Sequence, residues 1–82
     1  MTLTWEYRIM TQIGLSFDVY EVYFDAKGKI HSWTDHAVSP YGETLEELRE
    51  DYRLMSEAFN KPILDHETGK EWKPKRNIIE EK

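Results

Sequence analysis

Eighty-two residues with no cysteine and a net charge of −5 allow one small domain and exclude both a disulfide framework and a thiolate metal site. A domain of this size buries only roughly 60% of its unfolded surface, so three Trp, five Tyr and three Phe must supply much of the core. No apolar run approaches the roughly 20 residues of a membrane span, and MTLTWEYR lacks the basic and apolar regions of a signal peptide. The expectation is a soluble, cytoplasmic protein.

The charge is uneven. Residues 1–60 hold five Lys or Arg against eleven Asp or Glu, whereas residues 61–82 hold six against five. An acidic body disfavours nucleic acid, because phosphate contacts need clustered Lys and Arg. It suits a basic protein partner, since opposite potentials speed encounter. Ordinary solubilising surface charge accounts for the same balance.

Thr4–Gln12, TWEYRIMTQ, alternates with period two, placing Trp5, Tyr7 and Ile9 on one face and Glu6, Arg8 and Met10 on the other. Gly14 interrupts the pattern and predicts a hairpin turn. Phe17–Phe24, FDVYEVYF, is apolar on both faces, as expected of a central strand covered on both sides. Asp25-Ala26-Lys27-Gly28 reads as a tight turn, and Ile30–Thr34 as a third strand. Three strands with short links predict an antiparallel meander. Pro40 then closes a loop over Asp35–Tyr41.

Gly42–Phe59 carries the strongest helix signal. Thr44 followed by Glu47 is a capping box, and Leu45, Leu48, Tyr52, Met55 and Phe59 recur at helical spacing. This stripe is expected to lie on one face of the sheet. Asn60-Lys61-Pro62 stops the helix, with Asn60 suited to a left-handed cap. Ile63-Leu64 can add a short fourth strand. The fold class is therefore α+β, a βββα domain over residues 1–66, with a polar, flexible tail over 67–82.

Two sets of residues are candidates for function. Trp5, Tyr7, Glu21, Tyr23 and Trp33 would form a partner interface on the sheet face that a single helix leaves uncovered, with homodimerisation as the competing way to shield it. An open edge strand offers a second docking route. Glu21 is the acid on an apolar face, and Arg8 on the neighbouring strand is its expected partner. The alternative is a small enzyme or metal protein built on Glu21, His31 and His36. Those histidines lack ligand spacing, and no nucleophile, base and orienting group form a set, so neither cofactor nor metal is expected. The basic run Lys70–Arg76 is interrupted by Glu71 and reads as solvated tail rather than a nucleic-acid arm.

Strand–strand–strand–helix with Gly-x-Thr-x-Glu-Glu-Leu over Gly42–Leu48 resembles the HicB-like antitoxin domain, the likeness covering roughly residues 4–60. Trp5–Arg8, Glu21–Asp25, Trp33-Thr34 and Lys61–Leu64 resemble the matching segments of small bacterial proteins of that kind. The resemblance implies a helix covering one sheet face and a protein partner, with toxin neutralisation as the family's theme. Two features depart from it. Residues 65–82 are too short and polar for the DNA-binding segment such antitoxins often carry, and Ser39-Pro40-Tyr41-Gly42 replaces the usual Pro-Gly-Cys turn.

Overall fold

The computed structural model describes residues 3–74. Strands β1 (Thr4–Thr11), β2 (Phe17–Phe24) and β3 (Ile30–Trp33) form the expected meander, followed by helix α1 (Leu45–Ser56) and a 3-10 turn over Glu57–Asn60. A two-residue strand β4 (Leu64–Asp65) joins the free edge of β1 and runs parallel to it, giving a mixed sheet of order β3-β2-β1-β4. The fold is α+β.

Register sets the two faces. Trp5 lies opposite Tyr23, Tyr7 opposite Glu21 and Ile9 opposite Val19, all on the α1 side; Arg8, Met10, Tyr20 and Val22 point the other way. Each side has its own small core. On the helix side Tyr7 and Ile9 pack with Met55 and Ala58, supported by Val19, Val38 and Ile63. On the far side Met10, Tyr20, Val22 and Leu64 pack with Phe24, Ile30 and Trp33.

The capping box forms, with a shift. The Glu47 N–H donates to Thr44 Oγ1 at 3.1 Å, but the Glu47 carboxylate accepts from the Glu43 N–H, at 2.9 Å, rather than from Thr44. The preceding Gly42 is a packing requirement: a Cβ there would collide with the backbone nitrogen of Leu48. At the other end, Asn60 does not take a left-handed cap, since Ile13 is the one non-glycine residue with positive φ among those described. The helix instead tightens into the 3-10 turn and stops at Lys61, whose extended backbone (φ −121°, ψ 160°) is what Pro62 demands of its predecessor.

Two expectations about burial are overturned. Of the stripe, only Met55 is buried; Leu45, Leu48, Tyr52 and Phe59 stay exposed. The helix is rolled so that Asp51, Met55 and Ala58 face the sheet. The polar Asp51 explains the roll, because both of its oxygens are engaged there, by Tyr7 and by the Tyr41 backbone. Conversely, the far sheet face is not left bare. Past β4 the chain turns back: the Asp65 N–H donates to Lys70 O and the Trp72 N–H to Ile63 O, each at 2.8 Å, and Leu64 bridges to Glu71. The boundary expected after residue 66 thus falls inside a hairpin. Of the polar, flexible tail expected over 67–82, residues 75–82 lie outside the described residues.

Candidate functional site

Four of the five residues expected at a partner interface share the helix side of the sheet. Trp5 and Tyr7 meet edge to face, their ring centroids 5.0 Å apart. The Tyr23 hydroxyl donates to Glu21 Oε1 at 2.5 Å, and this hydrogen bond to a carboxylate raises the tyrosine's pKa above its usual value. Trp33 is not with them. It lies on the far face, where its indole N–H donates to His66 O at 2.9 Å and its ring presses on Gly69. Arg8 is likewise on the far side and does not reach Glu21: it pairs with Glu6 at 3.3 Å and donates to Pro62 O at 2.8 Å.

The alternative set does not assemble either. Glu21 is engaged with Tyr23, His31 with the neighbouring Ser32 hydroxyl at 3.1 Å, and His36 is exposed on the loop after β3. Among the described residues no three His, Asp or Glu side chains come together in a group that could hold a metal ion.

What the fold does create is a groove that sequence reasoning missed. Because α1 is rolled, its stripe overhangs the sheet instead of lying on it. A recess of about 370 Å³ opens between the two, floored by Ile9, Val19 and Val38 and walled by Phe17, Tyr52 and Phe59. The exposed fractions decide its character: Tyr52 is 65% exposed, Phe59 75% and Phe17 48%, and Leu45, outside the recess but on the same helical stripe, 62%. Single exposed apolar residues are ordinary, but this many side by side form a patch of the kind that marks binding surfaces. The periodicity itself was legible. Which way the stripe faces was not, because a core stripe and a partner-facing stripe have the same spacing.

The groove is purely a packing surface. Its lining contributes Asp18, Ser39 and Ser56 as polar residues, with no histidine, lysine or arginine. That supports apolar docking and offers no acid–base pair. On the opposite side of α1, Arg53 is clamped by Glu50 at 2.6 Å and Glu57 at 2.7 Å, an exposed network contributing little to stability. No helix among the described residues is long and apolar enough to cross a membrane. Comparison of the chain with protein-family models, with curated proteins and with solved structures returns no match.

Proposed function

We propose that this protein is a non-catalytic interaction module that works by docking another protein chain in the groove between α1 and the sheet. The observation that carries this reading is the apolar stripe of α1 turned outward over a recess, with Tyr52 and Phe59 largely exposed. Aromatic anchors beside a pocket are the usual hot spots of protein interfaces. The Gly42–Leu48 resemblance to HicB-like antitoxin domains supports the same class of function. The acidic balance of residues 1–60 favours a basic partner, a toxin-like protein being the form the resemblance suggests.

The test is affinity capture from a native lysate with the intact chain and with a Tyr52→Ser, Phe59→Ser double variant, at low and high salt. The expected result is a basic protein retained by the intact chain, lost on the double variant, and rebound less tightly at high salt once purified. Equal retention by both chains would overturn the groove as the docking surface.

A further inference from the structure

We infer that the groove is closed by the same groove of a second copy, in a two-fold dimer; this rests on the patch being a protein-docking surface and names its first occupant. A two-fold interface requires one patch to be complementary to itself. This patch holds both halves of such a match. Phe59 and Tyr52 line the groove yet stay 75% and 65% exposed, so they can serve as knobs, and the recess with Ile9, Val19 and Val38 lies directly beside them. A rotation about an axis through the patch sends the aromatic knob of each copy into the recess of the other.

Size agrees. Aromatic side chains present about 150–250 Å² each when fully exposed, and leucines fall toward the lower end of that range. With the observed exposures, Phe17, Leu45, Leu48, Tyr52 and Phe59 would give about 500 Å² per copy, or about 1,000 Å² per pair before any rim is counted. That reaches the lower bound of a specific interface.

Charge agrees too, despite the net charge of −5 on each copy. At 3.6 residues per turn, Glu46 and Glu50 of α1, and Glu57 just past its end, lie on the side turned away from the stripe, while Arg49 flanks it and Asp18 is the one acid in the groove lining. Bringing two stripes together therefore does not bring the helix acids face to face. They remain outside the contact between the two copies.

Salt separates this dimer from any complex with a basic protein. Screening removes the long-range repulsion between two acidic copies, so self-association should be unchanged or tighter at high salt. Sedimentation of the pure full-length chain across the micromolar to millimolar range, at two salt concentrations, is the measurement. A monomer–dimer equilibrium is expected, weakened about tenfold or more by Tyr52→Ser or Phe59→Ser and also by Arg49→Glu. Leu15→Ser, an exposed apolar change at the β1–β2 turn, should leave it intact. These positions are all exposed, and circular dichroism would confirm that each variant folds. A pure chain that stays monomeric throughout overturns the dimer. If the lysate partner is then still lost on the groove variants, the docking surface survives and only the second copy is wrong. A monomer in which Tyr52 shows nuclear Overhauser contacts to Ile78 or Ile79 would assign the patch to the chain's own C-terminal residues, also overturning the dimer.

Discussion

The Tyr7 hydroxyl donates to Asp51 Oδ1 at 2.6 Å, tying the middle of β1 to the middle of α1 across 44 residues of sequence. The other oxygen of Asp51 accepts the Tyr41 N–H at 2.8 Å, so one carboxylate fixes the strand, the helix and the loop leading into the helix. A charge-assisted bond of this kind is stronger than a neutral one. It also decides how the helix sits, by holding a polar residue toward the sheet and turning the apolar stripe outward.

Tyr7→Phe should lower stability by about 1.5–3 kcal/mol, the usual contribution of a hydrogen bond to a charged group. It should also change the alkaline limb of the pH profile. Burial, and then the bond to Asp51, raise the Tyr7 pKa well above its ordinary value near 10.0. The sign follows from linkage: the contribution is complete below the unfolded tyrosine's pKa and is lost as pH climbs beyond it toward the folded value. Urea midpoints measured from neutral pH upward would therefore fall above about pH 10 in the wild type and fall less in Tyr7→Phe. Parallel curves would remove Tyr7 from the account.

Met55 and Leu48 belong to one periodic stripe, yet their substitutions should differ. Met55 is buried against Tyr7 and Ile9, so Met55→Ala should cost about 2–5 kcal/mol through the cavity it leaves. Leu48 is 36% exposed, and Leu48→Ala should cost less, about 1 kcal/mol. Chemical denaturation of both variants settles the order. A larger loss at Leu48 would mean that the helix is rolled the other way.

The start of the helix gives a second ranked pair. Thr44→Ala removes the acceptor for the Glu47 N–H and should cost about 1 kcal/mol. Gly42→Ala should cost at least as much, because the added methyl meets the Leu48 backbone, which cannot move without breaking the first helical turn. Thermal melts that ranked Gly42→Ala as neutral would show that the loop before α1 relaxes freely.

These contrasts show where the sequence was legible. Strand alternation, the turns at Gly14 and Gly28, the Thr44 cap and the stop before Pro62 all depend on neighbours within a few residues, and each appears in place. The orientation of the stripe did not depend on neighbours. It hangs on Asp51 meeting Tyr7 and Tyr41, and no local pattern reports that pairing. The same holds for the far face. Trp33 looked available to a partner because the polar composition after Asp65 resembles a tail; its cover comes from backbone hydrogen bonds, which composition does not record. Among the candidate interface residues, Trp5, Tyr7, Glu21 and Tyr23 shared a face as alternation required. The groove itself, formed between a loop, two strands and a rolled helix, was not readable.

Ile13 holds φ +50° at the β1–β2 turn, a left-handed conformation rare for a β-branched residue. Its side chain is 67% exposed and contributes little packing to offset that strain. Ile13→Gly should therefore raise stability by about 1 kcal/mol. Ile13→Val should leave it nearly unchanged, since both residues are β-branched. A destabilised Ile13→Gly variant in equilibrium denaturation would show that the side chain makes an unrecognised contact.

The last prediction concerns the hairpin that covers the far face. Gly69 is buried, with φ +75°, and a Cβ there would stand 2.6 Å from Trp33 Cζ3. Two penalties then coincide, a left-handed backbone and a steric clash with a ring that cannot easily retreat. The ring is held because its indole N–H donates to His66 O and because the ring lies over the small core of Met10, Tyr20 and Val22. Gly69→Ala should accordingly cost about 2–3 kcal/mol and should alter Trp33 specifically. Trp5 and Trp72 also emit, so the readout is fluorescence in a background where both are Phe, with the near-ultraviolet dichroism of the same proteins. A red shift of Trp33 with the helical signal retained would show the hairpin lifting from the sheet while α1 stays docked through Tyr7 and Asp51. An unshifted spectrum with unchanged stability would mean that Gly69 does not press on Trp33, and that the far face is covered in some other way.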